Sequence, residues 1–446
     1  MPSWPVFRRQ SVSAESGSLE SYVNQTSELP EFAVPPSKQA LIERLRNRLV
    51  PADPELWRAS PEAKIQAMSR FDKGYLATEE VARYTFTLLS TYVECMKSRS
   101  LADSRYRRYF YSFQEAVQGR GGIPSRQHLE TLTGASFVIT GPSQLGRTAY
   151  IQRLRNLFGA PFRVVGDSLG DIVLVWYFPL LVLQWPTCGT LKGLLKQFRE
   201  KLVSEIRDPR DVAPIFRKMR GENAESAVIA AMVLLNVGMV AIDGASANSL
   251  KGQVRDILAF LCRLQAHTNV PVLLSCTDMF MHGAKLLGSE VDAVLRGHRL
   301  EFKPFSPPNP KAPGTGTWGT YNKWFWQAGL LPPLLEMPRN LPIWTSELCH
   351  GRVSWLSAGF RALLERLVWE PKLLESGGPS EQAVKETFEQ QLCTWAGART
   401  TIAEYGEDPA FVSRANALRY VDHLPFAAGS AMEALSSRPL LGVGHA

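Results

Sequence analysis

The chain has few cysteines and none in a paired spacing: Cys95, Cys188, Cys262, Cys276, Cys349 and Cys393 are scattered over 446 residues. That excludes a disulfide scaffold and a cysteine-based zinc site, and predicts reduced thiols in a cytosolic setting. Long apolar runs are missing too. Ile172–Trp185 is broken by Pro179, and Ala227–Ile242 is split by Asn236 and Gly238. A membrane-spanning helix needs about 20 apolar residues, so both runs predict buried core. The opening "MPSWPVFRRQSVSAESGS" has no apolar centre, so no secretory leader is expected. No strong excess of one charge is present either. A net charge of +8 and a pI near 9.2 are compatible with a polyanionic partner without identifying one.

What is present is material for a core: 45% hydrophobic residues in a length that suits two or three domains. Residues 1–37 are rich in Ser, Pro and Glu, without periodicity, and predict a flexible arm. Residues 38–130 predict a helical N-terminal region. In "SKQALIERLRNRL" Leu41, Leu45 and Leu49 share a face, and Thr78 caps "TEEVARYTFTLLSTYVECM". "GRGGIPSRQ" reads as a loop. From 131 to 306 short β-branched runs alternate with amphipathic stretches, the pattern of a parallel sheet with flanking helices. A Pro/Gly linker at 307–319 precedes a mainly helical region at 320–429, and 430–446 reads as a loose tail.

One segment of the alternating region carries chemistry. "ASFVIT" predicts a strand, Gly141-Pro142-Ser143-Gln144-Leu145-Gly146-Arg147-Thr148 a glycine loop, and "TAYIQRLRNLF" a helix. Strand, loop and helix in that order form a phosphate cradle, because backbone N–H groups and a helix N-terminus surround the anion. The loop fits G-x-x-x-x-G-K-[ST] except that Arg147 replaces the lysine. A forked, planar guanidinium is not equivalent to a point ammonium, so weakened binding is expected. The second element is "MVAIDGASANSL", four apolar residues followed by Asp243, which predicts an acidic strand end that supports magnesium through water, with Thr148 as the hydroxyl ligand. Gly244 follows where a hydrolase would place its general base, and glycine has no group to accept a proton.

At "LVLQWPTCGTLKGLLKQFREKL" the chain resembles the transposition ATPases of the TnsC/TniB group, AAA+ relatives of MuB, with their "P-x-x-G-S-L-K-G-L…F" pattern. Pro186, Gly189, Leu191, Lys192, Gly193, Leu194 and Phe198 match, and Thr190 replaces the usual serine. "RRYFYSFQEAV", "VLRGHRLEFKPF" and "CHGRVSWLSAGFRALL" are similar to the lead-in, the arginine-rich segment and the lid helix of that group. The resemblance covers roughly residues 100–370. It implies a P-loop AAA+-like α/β fold, with a helical region before it and a helical lid and tail after it, in a degenerate ATPase of a mobile element. It further implies ATP or ADP with Mg2+ as cofactors, assembly on duplex DNA as a homo- or hetero-oligomeric ring or filament, and a link between target-selection subunits and a transposase. The location implied is the bacterial cytoplasm, on the nucleoid, with no membrane partner. Residue by residue, it places phosphate and magnesium at Gly141, Gly146, Arg147 and Thr148, the second acid at Asp243 and a polar sensor at Thr277. Arg296 or Arg299 would reach a neighbouring subunit's nucleotide. The replacements at 147 and 244 predict weak or absent hydrolysis.

Lys192, Lys196 and Arg199 recur at i, i+4 and i+7, which gives one helix face that would track DNA phosphates or else be simply solvated. Arg105, Arg107 and Arg108 interleave with tyrosines that are expected to pack, and Trp324, Phe325 and Trp326 are expected in a lid core. Two other readings stand beside the regulator: a non-enzymatic adaptor in a transposition complex, and an active ATPase of origin-recognition or signalling type that uses Asp278 or Glu290 as its acid.

Overall fold

The computed structural model describes residues 37–425, together with Arg8 and Arg9, apart from 52, 100–103, 118–123, 125–134, 169–170, 207–214, 216, 218–223, 376–377 and 410–411. At 97, 163–168, 171–175 and 290 the backbone alone is described. Most of the expected arm, nearly all of "GRGGIPSRQ" and the tail from 430 lie outside the described residues. Within the arm, Arg8–Arg9 (β1) pairs antiparallel with Val164 and Val165.

The centre is a five-stranded, wholly parallel sheet: β2 (Ser136–Thr140), β5 (Leu181–Gln184), β6 (Val240–Ala245), β7 (Val272–Cys276) and β8 (His298–Glu301), in the order β5-β6-β7-β2-β8. All five residues of β2 and of β7 are buried, as strands covered on both faces must be. One strand, β7, stands between the loop strand β2 and the aspartate strand β6. This is the AAA+-like P-loop arrangement.

One face of the sheet carries α1 (Lys38–Leu45), α3 (Glu79–Lys97) and α5 (Arg147–Phe158), whose buried residues form one cluster with Phe137, Ile139, Ala241 and Leu273. α2 (Pro61–Ala67), between α1 and α3 in the chain, packs instead with the C-terminal helices. The opposite face carries α4 (Ser104–Val117), α6 (Leu191–Glu205), α7 (Ala224–Leu234), α8 (Val254–Thr268) and α9 (Asp278–Ala284), packed on Val138, Ile242 and Leu274. The expected N-terminal helices are therefore divided between the two faces: Tyr84 on α3 donates to the Val138 carbonyl, and Tyr109 on α4 to that of His267. Tyr106, Tyr109 and Phe110 pack, as expected for this aromatic stretch.

A hairpin of β3 (Phe162–Ser168) and β4 (Asp171–Tyr177) forms a second sheet with β1. The run Ile172–Trp185 is thus two strands of different sheets, with Pro179 in the break between them. α10 (Asp292–Leu295) leads into β8, and after β8 come α11 (Gly316–Trp326), α12 (Leu341–Cys349), α13 (Val353–Trp369), α14 (Lys372–Glu375), α15 (Glu381–Gln391), α16 (Ala396–Glu407) and α17 (Arg414–Arg419). α11 begins inside the stretch expected as linker. α11 to α16 share a third core around Trp318, Phe325, Trp355, Phe360 and Phe388. Among the described residues no helix is long and apolar enough to cross a membrane.

Candidate functional site

The C-terminal ends of the parallel strands meet at one edge, where open α/β sheets bind ligands. The loop Gly141–Thr148 turns there between β2 and α5. Its torsions depart from ordinary backbone: φ is 142° at Gly141, 71° at Gln144 and 90° at Gly146. Gly146 is the N-cap of α5, and a Cβ added to it would meet nothing within 4 Å. The loop therefore leaves open space over the N-terminal amides of a twelve-residue helix. Leu145 is buried and holds the loop, and α5 is fixed beneath it by Tyr150, Ile151, Leu154 and Phe158, which recur at helical spacing on its inner face. Thr148 faces solvent on the first turn.

Asp243 on β6 is buried. Its Oδ1 accepts a 2.7 Å bond from the Ser275 hydroxyl on β7, while its Oδ2 has no hydrogen bond. The intervening strand thus positions the aspartate. Arg147 is half-buried, yet its Nη1 is sealed from solvent and also lacks a partner. Burial lowers its pKa, opposed by the nearby Cys276, Asp243, Asp278 and Asp422; a guanidinium stays charged throughout. Asp278, first residue of α9, is buried with Oδ1 free of hydrogen bonds and 3.7 Å from Arg299 Nη2. Burial and Glu301 push its carboxyl up, while Arg299 and Arg147 pull it down. Cys276 is a neutral thiol, pushed up to about 12 by burial.

Three buried polar atoms without hydrogen bonds, one cationic and two anionic, thus lie at the same edge as the loop. Such groups are costly unless a partner satisfies them, and their electrostatic field is strong at low dielectric. They fit a nucleotide phosphate with its magnesium ion.

Gly244 has a φ of 87° and sits where the β6–β7 pairing slips between Ile242 and Ala245. It is a bulge glycine in the left-handed region, which L side chains avoid. A Cβ there would lie 3.3 Å from the Gln184 amide oxygen. The position that could carry a general base is therefore unsuited in backbone as well as in side chain.

Of the remaining predicted residues, Thr277 caps α9 by accepting from the Phe280 amide, and its hydroxyl donates to Asp422. Arg299 donates to the Thr140 hydroxyl at 2.9 Å, so its guanidinium is engaged within its own chain beside the loop. Arg296 is exposed and paired with Asp292. Lys192 and Lys196 lie exposed on α6 with Arg199 half-buried beside them, and Glu200, 3.6 Å from Lys196, shares that face. The "PTCGT" segment is a hydrogen-bonded turn from Pro186 to Gly189, after which Thr190 caps α6 through the Gly193 amide. The Glu290 side chain lies outside the described residues.

Sequence reasoning missed two features. Between the loop and the helical C-terminal part lies a cavity of ≈ 1190 Å³, lined among others by Tyr75, Gly146, Phe302, Tyr321, Trp324 and Ser354. Trp324 and Phe325 serve both the cavity and the lid core, whereas Trp326 is buried with its indole N–H on the Leu335 carbonyl. The second is the turn Val421–His423, which reaches the loop: the Ser143 amide donates to the Asp422 carbonyl at 2.7 Å. No local pattern in "RYVDHLP" marks it.

No family model matches the chain, and a search of curated proteins finds no match. Among the solved structures it matches is that of the Aeropyrum pernix ORC2 protein in ADPNP–ADP complexes, at 11% identity, covering 64% of this chain and 67% of that one, with a TM-score of 0.38. An overlap this loose transfers no function.

Proposed function

We propose that the chain is a nucleotide-binding, AAA+-like regulator of DNA transposition of the TnsC/TniB type that uses nucleotide as a structural switch and hydrolyses it weakly or not at all. The observation that carries the nucleotide half is the set of buried atoms without hydrogen bonds, Arg147 Nη1, Asp243 Oδ2 and Asp278 Oδ1, grouped around an open helix N-terminus. The amides of 141–148 and Arg147 would hold the phosphates. Thr148 and Asp243 would hold magnesium, directly and through water, and the aromatic cavity has room for a nucleoside. A bound Mg2+–nucleotide would supply the charges that these three atoms lack. The bulge at Gly244 leaves no base at the usual position, which supports binding without turnover.

The DNA half rests on the solvent face of Lys192, Lys196 and Arg199 together with the family resemblance. On this reading Arg296, exposed and paired with Asp292 four residues earlier, would reach a neighbouring subunit, since Arg299 is held beside the loop by Thr140 and Asp278. Partners on this reading are duplex DNA, a transposase and its target-selection subunits. The test is assembly on duplex DNA, followed by sedimentation: ATP promotes it more than ADP. Calorimetry in which neither nucleotide binds wild type or Arg147→Lys refutes the nucleotide half.

A second reading, a protein-binding scaffold without nucleotide, is favoured by one observation: Asp422 already engages the Ser143 amide. Complex formation indifferent to ATP and Mg2+ would select it.

A further inference from the structure

The Val421–His423 turn is anchored from three sides. On the loop side, the Ser143 amide donates to the Asp422 carbonyl at 2.7 Å. On the sheet side, the Asp422 carboxylate accepts from the Thr277 hydroxyl and, at 2.9 Å, from the Ala247 amide that follows β6. On the lid side, Arg352 is buried and donates through Nη2 to the His423 carbonyl at 2.6 Å, and the His423 ring stacks on Trp355 with centroids 6.0 Å apart. Ser354, the second residue of α13, donates its amide to the Gln144 carbonyl of the loop at 3.1 Å, which ties lid and loop together. Leu424, buried against Ala417, Ile402, Tyr405 and Val412, fastens the segment behind.

The chemistry of these contacts is that of an anion in its cradle. The Asp422 carbonyl accepts from the loop amide, its carboxylate accepts from a strand-end hydroxyl and a second backbone amide, and its charge acts on Arg147. Two guanidiniums, Arg147 and Arg299, are near the carboxylates of Asp243, Asp278 and Asp422, and Glu301 also acts on Asp278. Asp422 therefore adds to an existing negative excess. The same turn therefore removes a phosphate donor and adds a negative charge that repels phosphate.

We propose that the Val421–His423 turn is a built-in competitor of nucleotide: the Asp422 carbonyl occupies the Ser143 amide of the loop and its carboxylate, anchored by Thr277 and Ala247, sets a negative charge beside it, so that nucleotide binding and seating of this turn exclude one another. This rests on the nucleotide reading above and adds a regulatory element to it. Nucleotide binding then frees the C-terminal segment, and whatever holds that segment elsewhere opens the site.

Titration of the full chain with a fluorescent ATP analogue and Mg2+, for wild type and Asp422→Ala, tests this. Tightening by about tenfold or more in the variant is expected, because the apparent dissociation constant carries the fraction of molecules in the competent state. Hydrogen exchange on the unmodified chain gives an independent arm: peptides covering 420–425 exchange faster at saturating ATP. If wild type and Asp422→Ala bind equally, or exchange at 420–425 stays unchanged at saturation, the competitor is refuted and the nucleotide reading stands. If wild type, Asp422→Ala and Asp422→Ala/Arg147→Lys all fail to bind ATP and ADP, the nucleotide reading falls and the competitor with it.

Discussion

The two ends of the candidate site are built differently. The phosphate end is crowded and charged, with a loop amide, a strand-end hydroxyl and three carboxylates within a few residues of strand ends, and the chain's own Asp422 closes it. The other end is a roomy cavity of ≈ 1190 Å³, with aromatic side chains such as Tyr75, Tyr321 and Trp324 among polar and charged ones, that the same lid helix borders. A site made only for protein contact has no need for both. On the nucleotide reading, the difference teaches that recognition of an anion and space for the rest of a ligand would lie in separate parts, sheet and lid, which α13 and the C-terminal turn connect.

Breaking that connection should give the largest effect. Trp355 is fully buried and supports His423, so Trp355→Ala costs about 3–5 kcal/mol of stability and unseats the turn. Denaturant titration with exchange at 420–425 measures both. If stability falls but the turn stays protected, the lid does not hold the seal.

At the phosphate end, Gly244→Glu is expected to cost roughly 1–2 kcal/mol, the penalty of a side chain in a left-handed backbone. It leaves phosphate release at background, because restoring an acid does not restore the strand. Thermal melts and a phosphate assay read the two outcomes, and gained turnover would show that only the side chain was missing.

Arg147→Lys sharpens the comparison from within the loop. A compact ammonium should tighten nucleotide binding about fivefold, close to 1 kcal/mol, while leaving the melting temperature nearly unchanged. An unchanged affinity would mean that residue 147 does not face the ligand.

The smallest effect is expected from pH. Burial, with Arg352 nearby, lowers His423 from 6.5 to about 4, and burial with Arg352 and Arg399 does the same to His350. Both imidazoles are neutral when folded, so the unfolded chain binds more protons below pH 6.5. Stability is therefore complete above 6.5 and falls progressively toward pH 4, by a modest amount because both rings keep partial contact with water. His423→Gln should remove part of that slope in denaturation curves taken across the window.

Much of the sheet was legible in the sequence. "ASFVIT", "VGMVAID" and "PVLLSCT" became β2, β6 and β7 because short β-branched runs between helical stretches have few other ways to be buried. Thr78 caps α3 as read, since a capping hydroxyl acts on an amide three residues ahead. The β3–β4 hairpin was not legible: β4 read as one apolar stretch continuous with β5, and only pairing separates them. Asp243 and the loop do share an edge as read, but Ser275 on β7 stands between them, and sequence order gives no strand order.

By itself the sequence determined local matters: which stretches form strands and helices, where the glycine loop turns, and that lysine and glutamate are absent from 147 and 244. These follow from torsional preference and periodicity, which act over a few residues. Only the tertiary structure decided that Gly244 lies in a bulge, that Arg299 meets Thr140 and Asp278 of its own chain, and that Asp422 reaches a loop 279 residues earlier at Ser143. Contacts at that separation depend on how whole layers pack, and no short-range pattern encodes them.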